Sequence, residues 1–257
     1  MPEVIGLVPT AGQATRIAPL PCSKELYPLG FRPADGGRSV RAKVVSHYLL
    51  EKMRFAGITK AYIVLGKAKW DIPNYFGNGL MVDMNLAYLT LSSSFGTPYT
   101  LDEAYPFVRS SIVAFGFPDI LFEPDDAFVQ LLARQLPSKA CATLGLFPAE
   151  KPQNVDMVDF APNGRVKQIF TKPRHTELTH SWCIGVWTPV FTEFLHTYIS
   201  AHRQPAVVTS EVSIGEVIQA AIEAGLHIEA MPVSEKSYLD IGTAEDLVRA
   251  VQHYAFS

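Results

Sequence analysis

The chain has 257 residues, 48% of them apolar, with 15 Phe and 10 Tyr, which excludes an intrinsically disordered protein. That length suits one domain with a sizeable core. A formal net charge of −3 speaks against a general nucleic-acid surface.

The opening segment, MPEVIGLVPTAG, carries Glu3 and no early Lys or Arg, so its short apolar run reads as a first strand over Val4–Val8 and not as a signal peptide. Cys22, Cys141 and Cys183 lie far apart and form no C-x-x-C. They read as reduced thiols of a cytoplasmic protein. No apolar run approaches the length of a membrane span. Further on, Lys43–Ala56 places Val45, Tyr48, Leu49 and Met53 at helical spacing and stops at Gly57, which predicts a helix. Ala61–Leu65, Leu86–Leu91, Ser111–Phe115 and Ala140–Phe147 read as strands. Thr100 and Glu103 suggest a capping box before Ala104–Val108. Asp125–Leu136 is a helix closed by Pro137.

The pattern changes near residue 150. Asn163-Gly164 between Val155–Phe160 and Arg165–Phe170 is a strong hairpin signal. A strand over Cys183–Thr188, a helix over Ser213–Ala224, a strand over His227–Val233, a strand over Tyr238–Ile241 and a helix over Thr243–Tyr254 complete the chain. Strands alternating with helices predict an α/β, Rossmann-like fold: a mixed, mostly parallel sheet flanked by helices, with a hairpin-rich second part. We expect a single domain over 1–257, with halves at 1–150 and 151–257.

The loop after the first strand carries the chemistry. Ligands of open α/β sheets bind beyond the carboxyl ends of the strands. Ala11, Gly12 and Ala14 are small enough for backbone N–H groups to approach an anion. Arg16 and Lys24, eight positions apart, supply cations for phosphate oxygens. Neither a P-loop nor a G-x-G-x-x-G fingerprint is present. An ordinary surface loop with two solvated cations fits the spacing equally well. The histidines make no H-E-x-x-H or similar ligand pattern.

The run A-G-x-x-T-R-x-x-P-L followed by S-K-E-L-x-P-L-G resembles the signature of the sugar-phosphate nucleotidylyltransferases, at Gly12, Thr15, Arg16, Pro19, Ser23, Lys24, Leu26 and Pro28. Lys43, Tyr48, Leu49 and Ala56-Gly57-Ile58 resemble the family's next segment. Gly96 matches a glycine beside the base. Phe117–Phe122 resembles the G-D-x-x-F block, Thr171-Lys172-Pro173 the E-K-P block and Tyr238–Thr243 the W-x-D-x-G-T block. The blocks come in family order over roughly residues 4–250.

The resemblance implies Mg2+-dependent nucleotidyl transfer from a nucleoside triphosphate, UTP or dTTP by preference, to a sugar 1-phosphate, releasing pyrophosphate. It implies Asp119 and Asp240 as metal ligands, Arg16 and Lys24 as catalytic cations, and Ala11, Gly12, Gln13, Ala14, Thr15 and Gly96 as nucleotide contacts. Lys172 and Gly185 would face the sugar phosphate. The net charge and the lack of a long apolar run lead us to expect no nucleic-acid or membrane partner, and a homo-oligomer is left open. Read alone, Asp119 is also a turn aspartate, Asp240 an acid near a helix start, Lys172 a solvated lysine and Gly185 a bulge.

The chain departs from the resembled pattern at several places. Ala11 and Ala14 stand where glycines are frequent. Thr171 replaces the glutamate of E-K-P, and Asp156 falls where a glycine is common. Leu91–Phe95 lacks a glutamine usual near the base. The Gly-rich, charged segment Arg32–Arg41 reads as an inserted lid. Two alternatives follow: a non-catalytic nucleotide or nucleotide-sugar sensor, and a nucleotidyltransferase using another phosphorylated alcohol.

Overall fold

A computed structural model describes residues 3–91, 95–202 and 211–254. Strand β1 (Val4–Thr10) leads, with Ile5, Leu7 and Val8 all nearly fully buried. Consecutive buried residues mark a strand covered on both faces. Next come β2 (Pro28–Ala34) and β3 (Ser39–Val44), an antiparallel ribbon of its own in which Arg32 pairs with Arg41. The segment expected to be an inserted lid is therefore two paired strands. Gly36 and Gly37 make its turn at φ +66° and +86°, values that favour glycine. Helix α1 (Val45–Phe55) starts only where the ribbon ends, two residues later than the apolar spacing suggests.

β4 (Lys60–Leu65), α2 (Asp71–Phe76) and β5 (Asn85–Thr90) follow. Then come α3 (Thr97–Asp102) and α4 (Tyr105–Val108). Thr100 lies inside α3 and its hydroxyl donates to the Gly96 carbonyl, so the expected capping box gives way to a bond back along the same helix. β6 (Ile112–Gly116), the short β7 (Ile120–Leu121), α5 (Ala127–Gln135) and β8 (Ala142–Pro148) close the first half. The hairpin of β9 (Asp156–Phe160) and β10 (Val166–Thr171) forms as Asn163-Gly164 predicts. β11 (His180–Trp187), α6 (Pro189–His202), α7 (Ile214–Glu223), β12 (Ile228–Pro232), β13 (Leu239–Asp240) and α8 (Ala244–Tyr254) complete the chain.

The main sheet has nine strands among the described residues. Its path runs β10-β9-β11-β6-β1-β4-β5, with β8 also paired to β11 and to β12. β1 is parallel to both β4 and β6, and β4 is parallel to β5. β11 is antiparallel to β6, β8 and β9 and joins the two halves. Apolar side chains fill both faces: Leu7, Phe115, Trp187 and Ile218 on one, Val8, Leu49, Ile63 and Phe128 on the other. Adjacent Leu7 and Val8 serve opposite faces, as the two-residue repeat of a strand requires. A third cluster of Leu29, Val45, Leu121, Ile241 and Ala250 ties the ribbon, α1, β7 and α8 together. No helix of the described residues is long and apolar enough to cross a membrane.

Candidate active site

β1, β4, β5 and β6 are parallel, so their carboxyl ends open on one side of the sheet. The loop leaving β1 and the loop leaving β4 meet there. Adding a Cβ to Gly66 would bring it within 2.8 Å of the Ala11 Cα, so glycine is what lets the two loops touch. Between them lies a cavity of about 600 Å³. Ala11, Gly12, Gln13, Ala14 and Lys24 form one wall, and Gly66, Lys67, Ala68 and Lys69 the other. Thr15 and Arg16 are not on that wall. Ala14 stands at φ +53°, a left-handed conformation that costs an alanine about 1–2 kcal/mol.

Lys24 opens a short 3₁₀ turn, Lys24–Leu26. Its ammonium is paired with the Asp119 carboxylate. Burial is the largest single effect and works against its charge, but Asp119, joined by Glu25 and Asp240, outweighs it, and the Lys24 pKa is raised. Neighbouring residues fasten this turn to the second loop. The Ser23 backbone N–H and hydroxyl each donate to the Asp71 carboxylate at 2.7 Å. The Lys69 ammonium donates to both oxygens of Glu25 at 2.7 Å. Glu25 is 1% exposed. Burial raises its pKa while Lys69 pulls it down.

Asp119 and Asp240 are 121 positions apart in the chain and meet through β7 and β13. These strands pair antiparallel with Asp240 opposite Ile120, and the Ile241 N–H donates to the Asp119 carbonyl at 3.2 Å. The Gly242 N–H holds Asp240 Oδ1 at 2.8 Å. Burial first, and the Asp119 carboxylate second, push the Asp240 carboxyl above its ordinary range, while Lys24 and Arg16 pull it back. Arg16 is largely exposed, with a guanidinium nitrogen 4.0 Å from Asp240 Oδ2. A Cβ on Gly242 would lie 2.6 Å from that guanidinium. Among the described residues no group of three or more His, Cys, Asp and Glu side chains forms a metal cage. The two carboxylates and two cations are what the fold gathers.

The remaining expected residues lie elsewhere. Lys172 follows β10 at φ +43°, exposed, beside Asp156. Gly96 caps α3 at φ +123°, where a Cβ would collide with the Val212 carbonyl. Gly185 sits within the sheet, paired to Phe115 on one side and Leu144 on the other, away from the cavity wall. Of the segment expected beside a base, residues 92–94 lie outside the described residues, while Leu91 reaches the cavity. Lys67, Lys69, Glu25 and Asp71 escaped the sequence reading. Two lysines directly after a second apolar strand were the available signal.

A family model described as nucleotidyl transferase matches residues 5–256. A low-salt glycan biosynthesis nucleotidyltransferase of Haloferax volcanii is 25% identical over 252 residues, covering 96% of this chain and 65% of that protein. A glucose-1-phosphate thymidylyltransferase of Streptomyces antibioticus is 24% identical over 246 residues, covering 94% and 64%. The chain thus spans just under two thirds of the length of these curated relatives. A Bacillus anthracis structure assigned as a glucose-1-phosphate thymidylyltransferase superposes with a TM-score of 0.81 at 19% identity, over 99% of this chain and 96% of that one. A UDP-glucose pyrophosphorylase bound to UDP-glucose superposes at 0.78 and 18% identity, over 99% of both chains.

Proposed function

The chain belongs to the nucleotidyl transferase family, and from that premise we propose that it transfers a nucleotidyl group from UTP or dTTP to a sugar 1-phosphate, with Mg2+. The observation that carries this reading is the convergence of Asp119, Asp240, Lys24 and Arg16 at the carboxyl end of the sheet. A phosphate oxygen of the acceptor attacks the α-phosphorus, the bond to the β-phosphate breaks, and pyrophosphate leaves. Both reactants are anions, so the site must neutralise charge and align them. In this reading, residues 1–150 hold the triphosphate and 151–257 the sugar phosphate.

The donor set fits the metal. Two carboxylates are hard oxygen ligands, and Mg2+ binds one or two of them with phosphate oxygens as its other partners. Asp119 and Asp240 would hold it, and it would spread charge over the triphosphate. Ala11, Gly12, Gln13, Ala14 and Thr15 offer backbone N–H groups to the phosphates, and Gly96 leaves room beside the base. Arg16, exposed and held near Asp240 by charge alone, swings to the triphosphate. Asp119 would serve the metal, which would leave the Lys24 ammonium, now paired with that carboxylate, to bind phosphate. Lys172 holds the acceptor phosphate. No general base is required, because the acceptor is already an anion near neutral pH. The named activities of the relatives support the substrate classes.

The test is pyrophosphate release with Mg2+ across the common nucleoside triphosphates and a panel of hexose 1-phosphates and other phosphorylated alcohols. Release with UTP or dTTP and a hexose 1-phosphate is expected. Tight triphosphate binding with no release from any pair would replace this reading with that of a sensor.

A further inference from the structure

Beyond the metal carboxylates, one more acid stands at the ligand end of the sheet. Ile184 of β11 pairs with Gly116, the last residue of β6, so His180–Cys183 run on past the end of β6. Ser181 pairs with Met157, which sets Asp156 beside that overhang. The Ser181 hydroxyl bonds Tyr238 at 3.2 Å, and Tyr238 lies close enough to both Asp156 and Asp240 to feel their charges. Asp156 therefore stands on the same side of the molecule as the Asp119–Asp240 pair.

Its surroundings are arranged around the carboxylate. Asp156 pairs with Thr171 across the hairpin, and the Thr171 hydroxyl donates to it. Lys172, next in the chain, is held left-handed and lowers the Asp156 pKa against the effect of burial. A lysine at φ +43° is a strained residue, and such strain gathers at functional sites. Opposite lies Gly215 in the first turn of α7. Any side chain there would collide with Asp156 Oδ2, so the glycine gives the carboxylate its space. Glu216, the other acid nearby, is committed to the Ser213 N–H at 2.6 Å. One hydroxyl donor leaves most of the acceptor capacity of the Asp156 carboxylate unused. The acid beside the lysine comes from the partner strand.

We propose that Asp156 is a specificity-determining residue that accepts hydrogen bonds from the ring hydroxyls of the phosphorylated acceptor while Lys172 holds its phosphate. This rests on the transfer reaction proposed above. Asp156 would approach the acceptor from β9, across the hairpin from Thr171.

The experiment takes the hexose 1-phosphate best used by the natural chain and measures both Michaelis constants for Asp156→Asn, Asp156→Gly and the double variant Asp156→Gly/Thr171→Glu. Losing a hydrogen bond to a charged group should raise the acceptor KM on the order of 10–100-fold. The triphosphate KM should stay within roughly twofold, since that site is untouched. The double variant, which places an acid on β10 directly across the hairpin from position 156, should recover most of the loss. An unchanged acceptor KM in both single variants, or both constants rising together, would overturn the proposal while leaving the transfer reaction standing. Absence of pyrophosphate release by the natural chain with every pair would instead remove the reaction and this inference together.

Discussion

The two sides of the candidate site are held in different ways. On the side proposed for the triphosphate, three polar links join segments distant in sequence: Ser23 to Asp71, Glu25 to Lys69 and Lys24 to Asp119. Each has at least one well-buried partner or two aligned hydrogen bonds, so the cavity wall keeps its shape without a ligand. On the acceptor side, the hairpin of β9 and β10 forms the edge of the sheet. There Thr171 and Lys172 are exposed, and the site proposed for the acceptor rests on one carboxylate, one hydroxyl and one strained lysine. The rigid side is suited to a step common to all substrates, and the edge side to a choice that varies. Position-by-position change at a sheet edge disturbs fewer buried neighbours than change between loops that touch at Gly66 and Ala11.

The strongest way to break this contrast is at the carboxylate pair. Asp119→Ala and Asp240→Ala should each reduce turnover by a factor on the order of 100–1,000 or more, as loss of a charge-stabilising group in a transfer site does. Far-ultraviolet circular dichroism should stay native. Full Mg2+-dependent release of pyrophosphate in either variant would remove that residue from metal binding. Next in size is the Glu25–Lys69 link. Lys69→Ala strands a buried carboxylate, and removing one partner of such a pair costs about 3–5 kcal/mol. Urea denaturation should show that loss. The double variant Glu25→Gln/Lys69→Met should restore most of it, because no buried charge is then left alone. A single-variant cost below about 1 kcal/mol, typical of exposed pairs, would mean that the triphosphate side is no more firmly fixed than the edge.

The sequence carried the α/β alternation, the Asn163-Gly164 hairpin and the blocks around Lys24, Asp119 and Asp240, because each is local and periodic. What it hid is long-range or locally ambiguous. α6 went unseen because Val190, Phe191, Thr192, Phe194, Thr197, Tyr198 and Ile199 are poor helix formers. Only burial of Phe191, Leu195 and Ile199 on one face makes it a helix. The β2–β3 ribbon looked like a lid because its charged residues read as a loop, and pairing of Arg32 with Arg41 has no local sign. The roles of Ser23, Glu25, Lys69 and Asp71 depend on contacts more than forty positions apart. Asp156 was legible only as a departure; its meaning depends on Thr171, Lys172 and Gly215 meeting it in space.

A smaller effect sharpens the edge side. Burial raises the Asp156 carboxyl to about 6, and Glu216 adds to that while Lys172 and the Thr171 hydroxyl oppose it. Its unfolded value is 3.8. Between these values the folded chain keeps a proton that the unfolded chain has released, so stability falls as pH rises through the window from about 4 to 6. Above it, the folded state carries the full cost of the buried charge. Asp156→Asn should therefore be more stable than the natural chain at pH 8, by about 3 kcal/mol, with the gap closing near pH 4. Urea midpoints at the two pH values measure it. A gap independent of pH would mean that the carboxylate is well solvated and that the edge site is more open than its surroundings indicate.

The smallest effect lies at Ala14, the one described residue of the first loop with a left-handed backbone and a side chain. Its conformation costs an alanine about 1–2 kcal/mol, whereas a glycine accepts it freely. Ala14→Gly also gives the unfolded chain more freedom, which takes back about 0.4–1 kcal/mol. The net expectation is a gain of up to about 1.5 kcal/mol, read as a higher urea midpoint with an unchanged slope. The same substitution bears on function, because the loop N–H groups line the cavity. If the Ser23–Asp71 and Glu25–Lys69 links hold the wall, relaxing Ala14 should leave the triphosphate KM within roughly twofold. A clear rise in that KM together with the stability gain would show that the strained alanine, and not the links around it, sets the shape of the loop.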